Sequence, residues 1–377
     1  MARAQNPWAG AFLAVAVLGS LMATAIPSQA ATQASAELTT RDTPTPVVVA
    51  TGLHNPRAVT IASDGSILIG EGGSGPATPC TAPSPGVITR CLGFSGSIYR
   101  IKGSEQRRVV TGLPSEAIVR NDGTVVIAGA TEAVPRPGGT YAVIYGLSGA
   151  PSDRASLGAG SGPLGTLALT NGTILGDLTE YEAEHDPGMD GVFADPWNFA
   201  QDGTHFLATD AGANDVLQVN PDGTTTTAVV VPDNILASGR HAQSVPTGIV
   251  LGPHGVFYIS DMSGENVGYS RIWRFVPGQG LTLIVTGLTD VIALALAPNG
   301  DLIALSYGST APAGTAVPGP GALTRINVHT GAVTTIATGD ALFAPTGLAV
   351  NWNGDVYVVN NAVTTNGELL EFPGAAN

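Results

Sequence analysis

The sequence predicts an all-β fold, a six-bladed β-propeller of four-stranded antiparallel blades whose ring is closed by the N-terminal strand. Three observations predict it. A hairpin signature is written six times along the chain. Third and fourth strands follow most of those hairpins. The first and last repeats are each incomplete, and in complementary ways.

Each signature is an apolar strand, a tight glycine turn and a second apolar strand. The segments are 58–72, 117–129, 198–212, 248–261, 293–306 and 347–361, turning at Gly65, Gly123, Gly203, Gly255, Gly300 and Gly354. Asp-Gly and Asn-Gly between β-branched runs favour two-residue turns, because glycine supplies the positive φ that such turns require. Third strands read as GSIYRI (96–101), DVLQV (215–219), RIWRF (271–275), ALTRI (322–326) and ELLEF (368–372). Fourth strands read as RRVVTGL (107–113), TTTAVVV (225–231), LTLIVTGL (281–288) and AVTTIATG (332–339). Only Leu178–His185 suggests a helical turn.

The last repeat ends at GELLEFPGAAN without a fourth strand, whereas PVVVATGLHNP (46–56) is a fourth strand with nothing before it. Its Thr51-Gly52-Leu53 echoes Thr111-Gly112-Leu113 and Thr286-Gly287-Leu288. The strand Val47 to Ala50 is therefore expected beside Glu368–Phe372, which removes two open sheet edges at once.

Residues 1–30 read as a signal peptide: Arg3, then an uncharged apolar run from Trp8 to Ile26, then Pro27-Ser28-Gln29-Ala30 with small residues before a cut between Ala30 and Ala31. The run is also long enough to serve as an uncleaved anchor. Residues 31–44 read as a flexible linker, and 45–377 as the propeller. The chain is expected to be exported to the extracellular space, off the membrane once the signal is cut, and monomeric.

Composition excludes other classes. Hydrophobic residues make 44% and charged residues 12%, so the chain has ample apolar mass to bury and is not disordered. Fifteen basic residues stand against 29 acidic ones, for a net charge of −14, and Lys102 is the sole lysine. No basic patch is available to displace phosphate counterions, so nucleic acid is excluded as a partner. The two cysteines, Cys80 and Cys91, share one Pro/Gly/Thr/Ser-rich loop. In an oxidising compartment they are expected to form a disulfide contributing about 3 kcal/mol, metal binding by two lone thiols being the alternative.

VVATGLHNPRAVTIASDGSILIGEGG, the cysteine loop, GSIYRI and RRVVTGLPS together resemble the ScyD/ScyE family. So do LTEYEAEHDPGMDG, PWNFAQDG, TDAGANDVLQVNPDG and VPTGIVLGPHG, in that order. The resemblance runs from about Val47 to Phe372. It implies an exported propeller with NHL-like repeats, related to proteins of scytonemin pigment biosynthesis.

Register points to a candidate site. Six residues past the turn glycines stand Glu71, Gly129, Thr209, Asp261, Ser306 and Asn360, with Asp210 and Asn361 one further on. Equal register means equal height along the axis, so Glu71, Asp210, Asp261 and Asn360 are expected at one mouth of the channel. Such oxygen-rich donors suit Ca²⁺, and the arrangement resembles the funnel of calcium-dependent lactonase and gluconolactonase propellers. The competing reading makes these residues caps of the bends after second strands. Arg57 and Arg120 are candidate neutralisers of the carboxylates.

The segment YEAEHDPGMDG carries Glu182, Glu184, His185, Asp186 and Asp190, with Asp195 just beyond it. Its spacing is not that of an EF-hand. Glu184 and His185 would form an acid–base pair if the loop folded over the mouth; otherwise the segment is a solvated connection. His205, His241, His254 and His329 are scattered and make no zinc set. No G-x-S-x-G elbow, Walker motif or Rossmann unit is present. Three functions fit: a binding or scaffold propeller for a small-molecule or protein ligand; a metal-assisted hydrolase, lactonase or lyase; and a biosynthetic enzyme acting on an aromatic metabolite, with Trp197 and Tyr258 as stacking residues.

Overall fold

Strand Val47–Leu53 lies antiparallel to Gly367–Phe372, with Val47 opposite Glu371 and Leu53 opposite Gly367. The first described strand therefore completes the last blade. A computed structural model describes residues 45–75, 80–81, 89–119, 125–308 and 320–377. The signal peptide with its Ala30/Ala31 cut, the linker and Arg120 lie outside these residues.

Six sheets, each of four antiparallel strands or more, are arranged in sequence order around a ring. Blade 1 comprises Pro56–Ile61, Ile67–Glu71, Thr89–Lys102 and Glu105–Val119. Blade 2 comprises Ala130–Pro135, Tyr141–Tyr145, Thr166–Leu169 and Ile174–Asp177. Blade 3 comprises Pro196–Asp202, His205–Asp210, Asp215–Val219 and Thr225–Val230. Blade 4 comprises Pro246–Leu251, Phe257–Asp261, Ser270–Val276 and Gly280–Leu288. Blade 5 comprises Val291–Leu296, Leu302–Ser306, Ala322–Ile326 and Val333–Ile336. Blade 6 comprises Gly347–Val350, Val356–Asn360, Gly367–Phe372 and the N-terminal strand.

One of the six hairpin signatures has a different role from the one its sequence suggests. Ala117–Val119 does pair with Val125–Ile127, but this hairpin extends blade 1, whose sheet gains Val125–Ala128 as a fifth strand. The inner pair of blade 2 is instead Ala130–Pro135 with Tyr141–Tyr145. Pro135 and Pro137 hide it from strand criteria, since proline removes a ladder donor. Here they fall at the strand end and in the 3₁₀ turn Pro137–Gly139, where no ladder bond is lost.

The core is divided among the blade junctions, because each inner strand buries both faces. Leu68, Ile98 and Val143 fill the junction of blades 1 and 2; Phe199, Phe206 and Ile144 fill that of blades 2 and 3. Ile249, Phe257 and Val216 close blades 3 and 4, and Tyr258, Leu294 and Leu302 close blades 4 and 5. Tyr258 is thus a core residue rather than a stacking platform at the mouth. Blade 6 meets blade 1 at Leu53, Val59 and Ile69, where Thr346 Oγ1 donates to the Arg57 carbonyl at 2.7 Å. Gly347 lies so close that a Cβ there would stand 2.6 Å from that carbonyl oxygen.

The Cys80–Cys91 disulfide is formed, with Cα atoms 4.0 Å apart. Between blades 2 and 3 the chain runs through helix Leu178–His185, whose N-terminus is capped by Asp177 accepting from the Glu180 N–H at 3.0 Å. Among the described residues no helix is long and apolar enough to cross a membrane.

Candidate functional site

The register residues do share one structural position, the last residue of a second strand, and all are buried. Each is occupied within its own blade. Glu71 Oε1 accepts the His54 N–H at 2.7 Å, and its carboxylate takes Arg108 in a fork, at 2.8 Å from Nε and 2.7 Å from Nη2. Asp261 Oδ1 accepts the Ser263 N–H at 2.7 Å, while Oδ2 takes Arg271 Nε at 2.7 Å and the Trp273 indole at 3.2 Å. Asn360 accepts the Phe343 N–H at 2.7 Å and donates to Glu368 at 2.8 Å. Asp210 Oδ1 accepts three backbone N–H groups, from Asp195, Gly212 and Ala213, at 2.6, 3.0 and 3.0 Å. Equal register therefore gives equal work, tying loops to strand ends.

The four are not gathered into one donor set. Among the described residues, the acidic group whose ligand atoms all lie within 4.8 Å is Glu182, Asp186 and Asp190. Asp210 alone of the four keeps a buried oxygen, Oδ2, without a hydrogen-bond partner. Glu184 and His185 are exposed on the helix, with the His185 ring stacked on Tyr181 at 4.2 Å.

A different register position lines the axis. In four blades the residue opening the first strand stands opposite the last residue of the second: Pro56 opposite Glu71, Pro196 opposite Asp210, Pro246 opposite Asp261 and Val291 opposite Ser306. The residue after the opening one is Arg57, Thr131, Trp197, Thr247 and Ile292 in blades 1 to 5, and in blade 6 Thr346, which follows Pro345 just ahead of the strand, takes the corresponding place; all six are buried. Four of these, Arg57, Trp197, Ile292 and Thr346, line one hollow together with Tyr307. Arg57, Trp197 and Thr131 line an adjoining one with Ser148 and Asp195. Residues from the inner strands of blades 1, 3 and 5, which are not neighbours in the ring, can meet only around the axis, so the hollows mark the channel mouth. Val126 and Ile127 line both, placing the extra hairpin of blade 1 across the opening.

Arg57 sets the electrostatics of this mouth. Burial lowers its pKa, and the neighbouring Tyr307 and Asp195 oppose that shift. Among the described residues it makes no ion pair; Nη2 donates to the Ile127 carbonyl, and its guanidinium lies 5.8 Å from the centre of the Trp197 ring. Burial first, and the nearby Asp210 next, push the Asp195 carboxyl up to about 8, against a 3.3 Å bond from Ser148 and the attraction of Arg57. Asp195 is therefore mainly neutral at pH 7, and Arg57 is left as a cation beside an indole and the Tyr307 hydroxyl, itself buried without a partner. Such a mouth can grip a planar anionic head with the guanidinium fork while an aromatic body lies against Trp197.

Sequence reasoning singled out Trp197 and Arg57 separately, without placing them together. Their shared signal is the turn into each first strand: Pro56-Arg57, Pro196-Trp197, Pro246-Thr247 and Pro345-Thr346 repeat one dipeptide frame whose second residue faces the axis.

No protein-family model matches the chain, and no curated protein matches it. Solved propellers do. The chain is similar to a streptogramin B lyase, at 11% identity and TM-score 0.45, covering 86% of this chain and 96% of that one. It is similar to the WD40 β-propeller domain of Doa1, at 13% identity and TM-score 0.44 with coverage of 86% and 96%. It is also similar to the soluble aldose sugar dehydrogenase of Escherichia coli in its apo-form, at 11% identity and TM-score 0.44 with coverage of 86% and 98%. At this distance nothing about substrate or chemistry passes from them to this chain.

Proposed function

We propose that this chain is an exported binding propeller of the ScyD/ScyE kind that holds a small organic anion, aromatic in body, in the channel mouth. One observation carries the reading: Arg57 is buried in the mouth with no ion pair among the described residues, beside Trp197 and a Tyr307 hydroxyl that likewise has no partner among them. A buried guanidinium is costly unless an anion completes it, and ligand sites are characteristically concave, apolar hollows with a few convergent polar groups. The family assignment rests on the order of motifs between Val47 and Phe372, and export on the N-terminal segment with its Ala30/Ala31 cut. Calcium belongs to the proposal as a bound ion, and among its four expected ligands Asp210 is the one with a carboxylate oxygen to spare.

A second reading, turnover of the bound molecule, is favoured by Asp195. Its carboxyl lies in the same hollow as Arg57 and keeps its proton up to about 8, as a general acid requires.

Isothermal calorimetry with paired aromatic carboxylates and their amides tests the binding reading. The acids are expected to bind saturably and the amides not, with Arg57→Met weakening the acids at least about tenfold. Equal binding of acid and amide, or unchanged binding by Arg57→Met, would overturn it.

A further inference from the structure

Eight buried side-chain polar atoms among the described residues have no hydrogen-bond partner, and six of them belong to four carboxylates near enough to act on one another as like charges. They are both carboxylate oxygens of Glu182, both of Asp215, Oδ1 of Asp190 and Oδ2 of Asp210. Glu182, Asp210 and Asp215 are fully buried. Burial of this many oxygens without donors is rare in a native protein, and each instance calls for a proton or an ion.

The fold brings them together from two sides. Glu182 and Asp186 are four apart, so they share a face at the end of helix Leu178–His185. Asp186 ends that helix in the left-handed region, at φ 40°, and its Oδ1 accepts the N–H groups of Asp190 and Gly191 at 3.1 and 3.3 Å. This bend returns Asp190 to the helix, so that ligand oxygens of Glu182, Asp186 and Asp190 lie within 4.8 Å of one another. Asp210 and Asp215 rise from blade 3, directly opposite each other across its second and third strands. The two sides feel each other: Asp210, Glu182 and Asp190 all act on Asp215 as like charges.

Among the described residues no cationic side chain answers them. None of the five carboxylates forms an ion pair with Arg, Lys or His among the described residues. The polar side chains that reach in are Asn214 and Gln243, donating to Asp190 Oδ2 at 2.7 and 3.4 Å. The donor set is all oxygen, without imidazole or thiolate, which selects a hard cation over zinc or copper. Three carboxylates, able to bind through one oxygen or two, suit the flexible oxygen shell of Ca²⁺, whereas Mg²⁺ keeps several of its waters and seldom uses an all-protein cage.

We propose that this pocket binds one calcium ion, held directly by Glu182, Asp186 and Asp190, with the buried carboxylates of Asp210 and Asp215 as the nearby negative charge that favours a cation. The ion joins the end of the helix between blades 2 and 3 to the loop that follows it. It is separate from the Arg57 mouth and does not depend on what binds there.

The test adds calcium alone, then magnesium alone, to chelator-stripped purified chain, read by calorimetry and by thermal melting. One equivalent of calcium is expected to bind and to raise the melting temperature, and Glu182→Gln is expected to weaken binding at least about tenfold. Asp190→Asn is expected to do the same; if it fails to fold, Glu182→Gln and the wild-type stoichiometry decide. Asp261→Asn, at the Asp210 position of blade 4, is expected to keep the ion. Folded, stripped wild type that takes up no calcium would overturn the proposal, as would uptake of magnesium in preference to calcium. Wild-type uptake undiminished in Glu182→Gln would overturn the ligand assignment.

Discussion

Asp210 faces Asp215 across the hairpin of blade 3, whereas in the same place in blade 4 Asp261 faces Arg271. One backbone position thus carries acid against acid in one blade and acid against base in the next. In blade 4 the charge is settled internally, since Arg271 is itself buried and also donates to the Pro232 carbonyl at 2.6 Å.

Removing Arg271 should therefore be costly. Arg271→Met leaves Asp261 buried with only the Trp273 and Ser263 donors, and breaking a buried pair from one side typically destabilises by about 3 kcal/mol or more. Urea unfolding is expected to show a loss of this order. An unchanged midpoint would mean that Ser263 and Trp273 suffice to hold the carboxylate.

Glu132 gives the folded chain a pH dependence of its own. Burial raises its carboxyl from an ordinary 4.5 to about 7, against bonds from the Phe199 N–H and the Thr60 hydroxyl. The folded state then holds a proton that the unfolded chain releases earlier, so this stabilisation is complete below pH 4.5 and is lost as pH rises through about 7. Glu132→Gln, which keeps an acceptor for Phe199, is expected to flatten the stability profile between those pH values and to add about 2 kcal/mol above pH 7. Denaturant midpoints across that range check it; parallel profiles for both proteins would contradict it.

Ring closure was legible in the sequence because it is a matter of counting: a fourth strand missing after Phe372 and one to spare before Pro56. Glycine turns located five of the six inner hairpins for the same local reason. Blade 2 escaped because its strand carries Pro135 and its turn is Pro137-Gly138-Gly139, while a stronger Asn-Asp-Gly signal sits on a hairpin that belongs to blade 1. The sites were harder to read. Register showed that Glu71, Asp210, Asp261 and Asn360 are equivalent, but not whether their side chains point to the axis or into loops. That depends on neighbours such as Arg108 and Arg271, which arrive from other strands. Asp215 drew no notice in the sequence, since only the folded hairpin sets it against Asp210.

The closure itself predicts two unequal truncations. Deletion through Leu53 strips Gly367–Phe372 of one of its two strand partners and removes Leu53, buried at the junction with blade 1. A large fall in melting temperature is expected, against almost none on deletion of residues 31–44. Gly347→Ala should also lower it, because its Cβ would press the Arg57 carbonyl at 2.6 Å. Equal melting of the two truncations would contradict a ring closed by the N-terminal strand.

The most direct measurement of the central claim, that the mouth at Arg57 and Trp197 is the ligand site, is indole emission during titration with an aromatic carboxylate. Trp197 lies in the mouth with its ring beside Arg57, so the difference in signal between wild type and Trp197→Phe isolates its response. Saturable quenching is expected in the wild type, with the same midpoint as calorimetry, and none is expected in Trp197→Phe. Quenching that persists in Trp197→Phe, or a wild type whose emission stays constant through calorimetric saturation, would place the ligand elsewhere on the propeller.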